Sequence, residues 1–500
     1  MKVFIQFVFI CVLLAVNLPA ADDASVVAAG RQPVMVDAGL GASNSATVLY
    51  LHKASLEATR QLVTKASGGG KASAVKTAKS KNAVKAAAAA AANPIQALLA
   101  SAAPNATVQF PGGIITADVG TTIVVDKPIT IAGNGTTLVN FRFIFLYDVQ
   151  MSNLNFVERD CTFHSYAPTA CTPGTPLVTV GYPGYPIQAA TITKVKMDFG
   201  RAYTGIAFGL DLTENVTIEN FDVVDNEMSA ITAFGGRNVR ISNGRIKGGA
   251  TQNVDDGVAL YAVYDELRDV VVENVHGNNV FDVVGIGALM YRKLTDVLVR
   301  NVSCTETTVC VYVKAGDQAP VPEGYEKYSE LSNLTIRDVR DSDPEGKRYL
   351  SSIWVYAKGG AIAKDIQVSE VHAVSRASTS NTARIRIFSD DQSTLAGLHI
   401  FDSDFVDPLN AAPHSAQAPG RPITEGVFLQ SLGINGIQRV TFSGVRIEGA
   451  THYGIDSDNA EVEGLRIQAS EFTNMNTANP SGPVFLIPYT YQLDGRTVNP

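Results

Sequence analysis

A short aliphatic theme returns along this chain at nearly constant intervals, and that recurrence limits the available folds more than any other feature. It reads Gly205-Ile206-Ala207-Phe208, Ala230-Ile231-Thr232-Ala233, Gly257-Val258-Ala259-Leu260, Gly285-Ile286-Gly287-Ala288 and Cys310-Val311-Tyr312-Val313. Residues 206, 231, 258, 286 and 311 are thus 25, 27, 28 and 25 apart. A second theme keeps step, in which Asn215, Asn238, Asp269, Asp296, Asn333 and Asp365 each open a short run of Val, Ile, Leu or Thr. Further copies of the first theme fall at Ile353, Ile385, Val427, Ile455 and Val484, at longer intervals that imply inserted loops. Periods of this length mark stacked architectures. The runs are short, β-branched and alternating, divided by Asn, Asp and Gly, so the rungs are strands and turns. Leucine-rich repeats would hold Leu at fixed offsets, and propeller blades need about 40 residues each. The solution left is a parallel β-helix, in which no coil buries its own face and each must stack on the next. The expected fold is all-β: a single-stranded, right-handed parallel β-helix of about twelve coils, with Ile206, Ile231, Val258, Ile286 and Val311 as one inward ladder. A β-sandwich array is the rival architecture.

The repeats occupy 94–490 and leave a different composition before them. From Asp22 to Asn93 the chain is mostly Ala, Ser, Gly and Lys, with too little bulky apolar surface to fold alone, so 21–93 reads as a low-complexity arm. Asn93-Pro94 then reads as a helix start, with Ile95, Leu98 and Leu99 giving a short capping helix its apolar face. Between Glu57 and Asp118 there is no acid but seven bases, so a chain of net charge −8 carries −8 − 7 = −15 outside that stretch. An acidic body repels phosphate backbones, and the basic stretch has no interleaved aromatics, so no nucleic-acid partner is expected.

Met1-Lys2, the apolar run Val3–Val16 and the exit Pro19-Ala20-Ala21 have the layout of a secretory signal, placed at residues 1–20. The run falls short of the ~20 residues of a spanning helix, so a secreted, periplasmic or cell-surface protein with no membrane partner after cleavage is expected. Four cysteines then remain in two close pairs, Cys161/Cys171 and Cys304/Cys310, an even number that suits an oxidising compartment. Four cysteines allow three pairings, and proximity favours the local one. Free buried thiols are the alternative. The five Asn-x-Ser/Thr sequons, at Asn105, Asn134, Asn215, Asn301 and Asn333, decide nothing in a Ser/Thr-rich chain. Oligomeric state is not legible.

A solenoid aligns equivalent positions of successive coils about 4.8 Å apart, which suits a linear polymer. If Val258, Leu260, Val311 and Val313 point inward, then Ala259, Tyr261, Tyr312 and Lys314 point outward. Asp255 and Asp256 would lie at the mouth of one coil, Asp282 on the next, and Tyr312 with Lys314 on the one after. Asp-Asp-Gly is equally an ordinary solvated turn. Tyr261, Tyr264, Tyr291 and Tyr356 are candidate sugar-stacking platforms, while His164 and His276 read as structural.

Two resemblances follow. Phe110-Pro111-Gly112-Gly113 with Ile129-Thr130-Ile131-Ala132-Gly133-Asn134-Gly135 resembles the opening segment of pectin-lyase-like proteins, including pectin-degrading enzymes and phage tailspike depolymerases, which are right-handed β-helices. Between Asp225 and Lys314 the chain resembles polygalacturonase-family glycoside hydrolases, which carry Asn-Thr-Asp, Asp-Asp, Gly-His-Gly and Arg-Ile-Lys on consecutive coils. Asp255-Asp256-Gly257 keeps the second motif. Asp282 stands in the histidine's place, Tyr312-Val313-Lys314 keeps the lysine alone, and Glu227-Met228-Ser229 replaces Asn-Thr-Asp. The resemblance implies an inverting glycosidase acting on a polysaccharide, with Asp255 as acid, Asp256 in the base, and Asp282 or Glu227 replacing the aspartate lost at Ser229. Lys314, Tyr312, Glu227 and Tyr261 would bind substrate, with no cofactor and no metal. Two alternatives stand beside it. One is a polysaccharide lyase in which Asp255, Asp256 and Asp282 hold Ca²⁺ and Lys314 is the base. The other is a non-catalytic, carbohydrate-binding surface solenoid. Mannuronan epimerases share the fold, but their Asp-Pro-His-Asp motif is absent.

Overall fold

The computed structural model describes residues 94–158, 176–181, 185–200, 206–226, 228–249, 256–316, 329–343, 350–375, 382–407, 424–432, 436–450, 452–457, 462–475 and 483–499. The leader, the arm, Cys161, Cys171, His164, Glu227 and Asp255 lie outside them.

From Ile206 to Glu448 each coil contributes one short strand and one long one. The short strands Ile206–Leu210, Ile231–Ala233, Val258–Ala262, Asp282–Ala288, Val309–Ala315, Ser351–Ala357, Thr382–Ser389 and Thr424–Ser431 pair in parallel, each with the short strands of the coils before and after. The long strands, among them Thr213–Asn226, Gly236–Gly248, Leu267–Asn278, Lys293–Thr305 and Glu330–Asp343, do the same. The chain is a parallel β-helix, with coil paired on coil.

The second sequence theme explains how a long strand turns two corners. Asn215 and Asn220, Asn238 and Asn243, Asp269 and Asn274, Asp296 and Asn301, Asn333 and Asp338 all have left-handed φ between 49° and 58°. Asn and Asp enter that region more readily than other L-residues because their short polar side chains bond locally. Two such residues five apart bend each long strand into a second and a third face, with the short strand as the first. The side chains also bond along the stack: Asn238 donates to Asn215 at 2.7 Å, Asn274 to Asn243 at 2.8 Å and Asn301 to Asn274 at 2.6 Å. The five sequon asparagines all have positive φ, so turn chemistry accounts for them as residues.

One continuous apolar core runs inside the coils from Ile95 to Ile487. Its central ladder is Phe208, Ile231, Val258, Val284, Val311, Ile353, Ile385, Val427, Ile455 and Phe485. The expected ladder was right at Ile231, Val258 and Val311 and two residues out of step at Ile206 and Ile286. Ile286 pairs with Leu260 and Val313 in the next inward row, whereas Ile206 packs on Met228 outside the main core. The theme repeats its own pattern two residues on, so spacing alone could not choose between the two rows. At the far end Phe485, not the exposed Val484, occupies the rung.

The helix Pro94–Ser101 meets the core through Ile95 and Leu99. Leu98, expected on the same face, is 37% exposed. At 100° per residue it sits roughly 80° round the helix from the midpoint of the other two. Cys304 and Cys310 form a disulfide with Cα atoms 5.6 Å apart, closing the corner between a third face and the next first face. That corner is where coils differ in length: Thr305 leads almost directly to Val309, but Val157 is followed by Pro176 and Val406 by Thr424.

Candidate functional site

Register fixes what the first face presents. One outward row runs Thr232, Ala259, Gly285, Tyr312, Trp354, Arg386, Phe428, Asp456, and a second runs Tyr261, Gly287, Lys314, Tyr356, Phe388, Gln430. A third row lies at the strand entrances. The Ala230 N–H donates to the Asp256 carbonyl at 3.1 Å and the Gly257 N–H to the Asp282 carbonyl at 2.7 Å, which aligns Ser229, Asp256 and Asp282. The row continues through Val309, Ser351, Ala383 and Glu425.

Three sequence-derived candidates, Asp256, Tyr261 and Asp282, converge where these rows cross the coils of Val258 and Ile286. Tyr261 donates its phenol O–H to Asp256 Oδ2 at 2.7 Å. A Cβ placed on Gly285 would stand 2.7 Å from the Tyr261 Oη, 3.2 Å from Asp282 Oδ1 and 3.3 Å from Asp256 Cγ. The absence of a side chain at Gly285 therefore lets one phenol and two carboxyl groups meet around a single point. Gly287 gives the Tyr261 ring its space, since a Cβ there would lie 2.6 Å from Cδ1. Tyr312 lies alongside; burial pushes its phenol well above the ordinary 10.0, reinforced by Tyr356, Asp282 and Asp256 in that order. It therefore keeps its proton at physiological pH and can donate a hydrogen bond.

The carboxylates are not the solvated groups expected from turn chemistry. Asp256 is 2% exposed and Asp282 0%, with Tyr312 and Lys314 also buried. The physical reason is the glycine pair: with Gly285 and Gly287 beneath it, Tyr261 folds onto the sheet instead of standing away from it. Tyr261 belongs to a small apolar cluster outside the solenoid core, with Phe234, Ala259, Val263 and Leu289. Lys314 stands in the Tyr261–Gly287 row, one coil on. Asp255 and Glu227 lie outside the described residues. Among the described residues no three His, Cys, Asp or Glu side chains are grouped to hold an ion, and Asp256 already accepts from Tyr261.

Beyond Tyr312 the face changes from small residues to rings and cations. Tyr312 and Trp354 have centroids 5.1 Å apart, and Tyr356 stacks on Phe388 at 5.1 Å. The Arg386 guanidinium sits 5.5 Å from the Trp354 ring and 5.9 Å from that of Phe428. Trp354, Tyr356, Arg386, Phe388 and Phe428 are all partly exposed. Sequence reading missed four of these five, although they occupy the outward positions of the repeat copies at Ile353, Ile385 and Val427. Tyr264 packs edge-on against Phe234 at 5.9 Å, Tyr291 bonds through its backbone N–H to Ser329 Oγ, and neither stands in the two outward rows. His276 bonds Ser303 at 2.8 Å on the third face, and burial followed by Arg245 lowers its pKa.

Tyr312 carries a pH prediction. Its folded pKa is above its unfolded one, so its contribution to stability is complete below pH 10 and falls as pH rises toward the folded value. Tyr489, pushed up to about 12 by burial, acts in the same direction. Denaturant midpoints should therefore decline above pH 10 in the wild type and decline less in Tyr312→Phe. Equal alkaline losses in both would place the shift elsewhere.

No protein-family model matches the chain, and no curated protein matches it in sequence. Among solved structures it is similar to the catalytic unit of a GH87 α-1,3-glucanase from Streptomyces thermodiastaticus, at 13% identity and TM-score 0.47, covering 75% of this chain and 65% of that one. It is similar to an Azotobacter vinelandii mannuronan C-5 epimerase A-module at 15% identity and TM-score 0.46, covering 76% and 91%. It is also similar to a tailspike protein of E. coli bacteriophage HK620 in complex with pentasaccharide, at 10% identity and TM-score 0.40, covering 86% and 77%. Among the described residues no helix is long and apolar enough to cross a membrane.

Proposed function

We propose that the first face binds a linear polysaccharide along the coil axis and that the Asp256–Asp282 end hydrolyses it. The observation carrying this reading is the union on one registered face of two carboxyl groups sharing one glycine-made gap with a platform of rings and cations on the coils of Ile353, Ile385 and Val427. Partly exposed Trp354, Tyr356, Phe388 and Phe428 offer apolar faces to sugar rings, and Arg386 offers donors to their oxygens. One carboxyl group would protonate the leaving oxygen while the other, ionised, acts on the sugar at the bond being broken. Tyr312 holds its proton and would donate a hydrogen bond to the departing or attacking oxygen. Asp255 remains a candidate acid on sequence alone, and Glu227 a candidate binding residue. Lys314, one coil from Gly287, would hold an anionic substituent. Substrate reaches the two aspartates once the Tyr261 ring leaves the glycine pair, a side-chain rotation rather than a backbone change. Export to the cell surface or beyond belongs to the same reading.

The burial of Asp256 and Asp282 favours a second reading, a binding solenoid without catalysis. One experiment separates the two. The mature protein is incubated with polygalacturonate, alginate, an α-1,3-glucan and a bacterial O-antigen, with and without EDTA. Hydrolysis gives reducing ends that survive EDTA. A lyase gives an unsaturated, ultraviolet-absorbing product, and retention on a polymer without either product leaves binding alone.

A further inference from the structure

The entrance row that carries Asp256 and Asp282 carries one more acid, Glu425, four rungs beyond Asp282, or about 19 Å at the spacing of paired strands. Glu425 is 8% exposed, and its Oε2 is buried and makes no hydrogen bond among the described residues. An unsatisfied buried carboxylate oxygen is costly unless something donates to it. Its other oxygen lies 3.6 Å from His452 Nδ1, an ion pair when the imidazole is protonated. Glu425, and then Asp456, holds the imidazole above its ordinary value against the opposing effect of burial. Asp456 is the direct register partner of Phe428, whose ring is partly exposed and has Arg386 on its other side. Acceptors, one donor and an aromatic surface thus gather at the far end of the platform, separate from the Asp256–Asp282 gap.

We infer that Glu425, His452, Asp456 and Phe428 form a distal subsite for a neutral sugar ring, which stacks on Phe428 and donates hydroxyl hydrogens to Asp456 and, once the Glu425 side chain turns outward, to its Oε2. The two carboxylates are set against Arg386 and His452, so the position has no excess of positive charge to hold a uronate or a sulfated unit and suits an uncharged sugar ring. The inference rests on the first face being the polysaccharide surface.

The test is affinity electrophoresis of the folded full chain through gels containing dextran, carboxymethylated α-1,3-glucan, alginate or polygalacturonate. Oligosaccharides of increasing length from the retarding polymer then serve as competitors. Wild type should gain affinity with length until the competitor spans the four rungs from Asp282 to Glu425. Glu425→Gln and Phe428→Ala should each lose about tenfold for long competitors and nothing for short ones. Melting temperatures of both variants guard against a folding defect, and Phe428→Tyr should restore binding by keeping the ring. Equal length dependence in wild type and in both variants would overturn the subsite and leave the first-face reading intact. Failure of every polymer to retard the wild type would overturn both.

Discussion

Asp256→Asn and Asp282→Asn should each cut polysaccharide turnover by roughly 10²–10⁴-fold, the range that a positioned proton-transfer group contributes. The loss should appear in kcat with KM little changed, since a group used to move a proton is needed in the transition state more than in binding. Asn keeps the shape of Asp and still accepts from Tyr261, so the hydrogen bond at 2.7 Å has a substitute and folding should survive. A variant that keeps wild-type turnover would remove that aspartate from the chemistry. If both melt far below wild type without a specific loss of kcat, their role is structural, and the binding-only solenoid becomes the better account. Gly285→Ala is a complementary probe, because its methyl would press on all three groups around the gap. It should reduce turnover with both carboxyl groups still present.

Val258→Asp should be the most destabilising single change. Val258 is fully buried and stands between Ile231 and Val284 in the central ladder. A charge there would have no counter-ion in an aliphatic stack, which puts the cost above the ~4–5 kcal/mol that marks exceptional substitutions. Soluble yield and urea unfolding measure it. Should Val258→Asp not fold at all, Val258→Thr gives a graded version, since a hydroxyl of similar shape in the same place costs about 1–3 kcal/mol. Unchanged unfolding of either variant would put Val258 outside the core.

The fold was readable because a solenoid writes its geometry into the sequence once per coil. Asn215, Asn238, Asp269, Asp296 and Asn333 mark the same corner of successive coils, and each is followed by the same inward pair. The exact rung was less legible where the theme resembles itself two residues on, as at Ile286. The site was half legible. Alternation placed Tyr261, Tyr312 and Lys314 outward, and the structure has them on the first face. What the sequence could not convey is that Gly285 and Gly287 let Tyr261 fold down and cover two aspartates, because burial of an outward residue depends on its neighbour in the next coil. The ring platform was legible in principle. Trp354, Arg386 and Phe428 follow Ile353, Ile385 and Val427, and only the longer loops between those copies obscured their alignment with Tyr312.

Trp354 makes the central claim directly measurable, because it is the only tryptophan in the chain and stands in the middle of the proposed polysaccharide surface. Its emission should change saturably as a retarding polysaccharide is titrated in, with the same midpoint as binding followed by calorimetry, and Trp354→Ala should weaken that binding. Calorimetric binding with no change in Trp354 emission, and with full affinity in Trp354→Ala, would put the polysaccharide on another face and contradict the account.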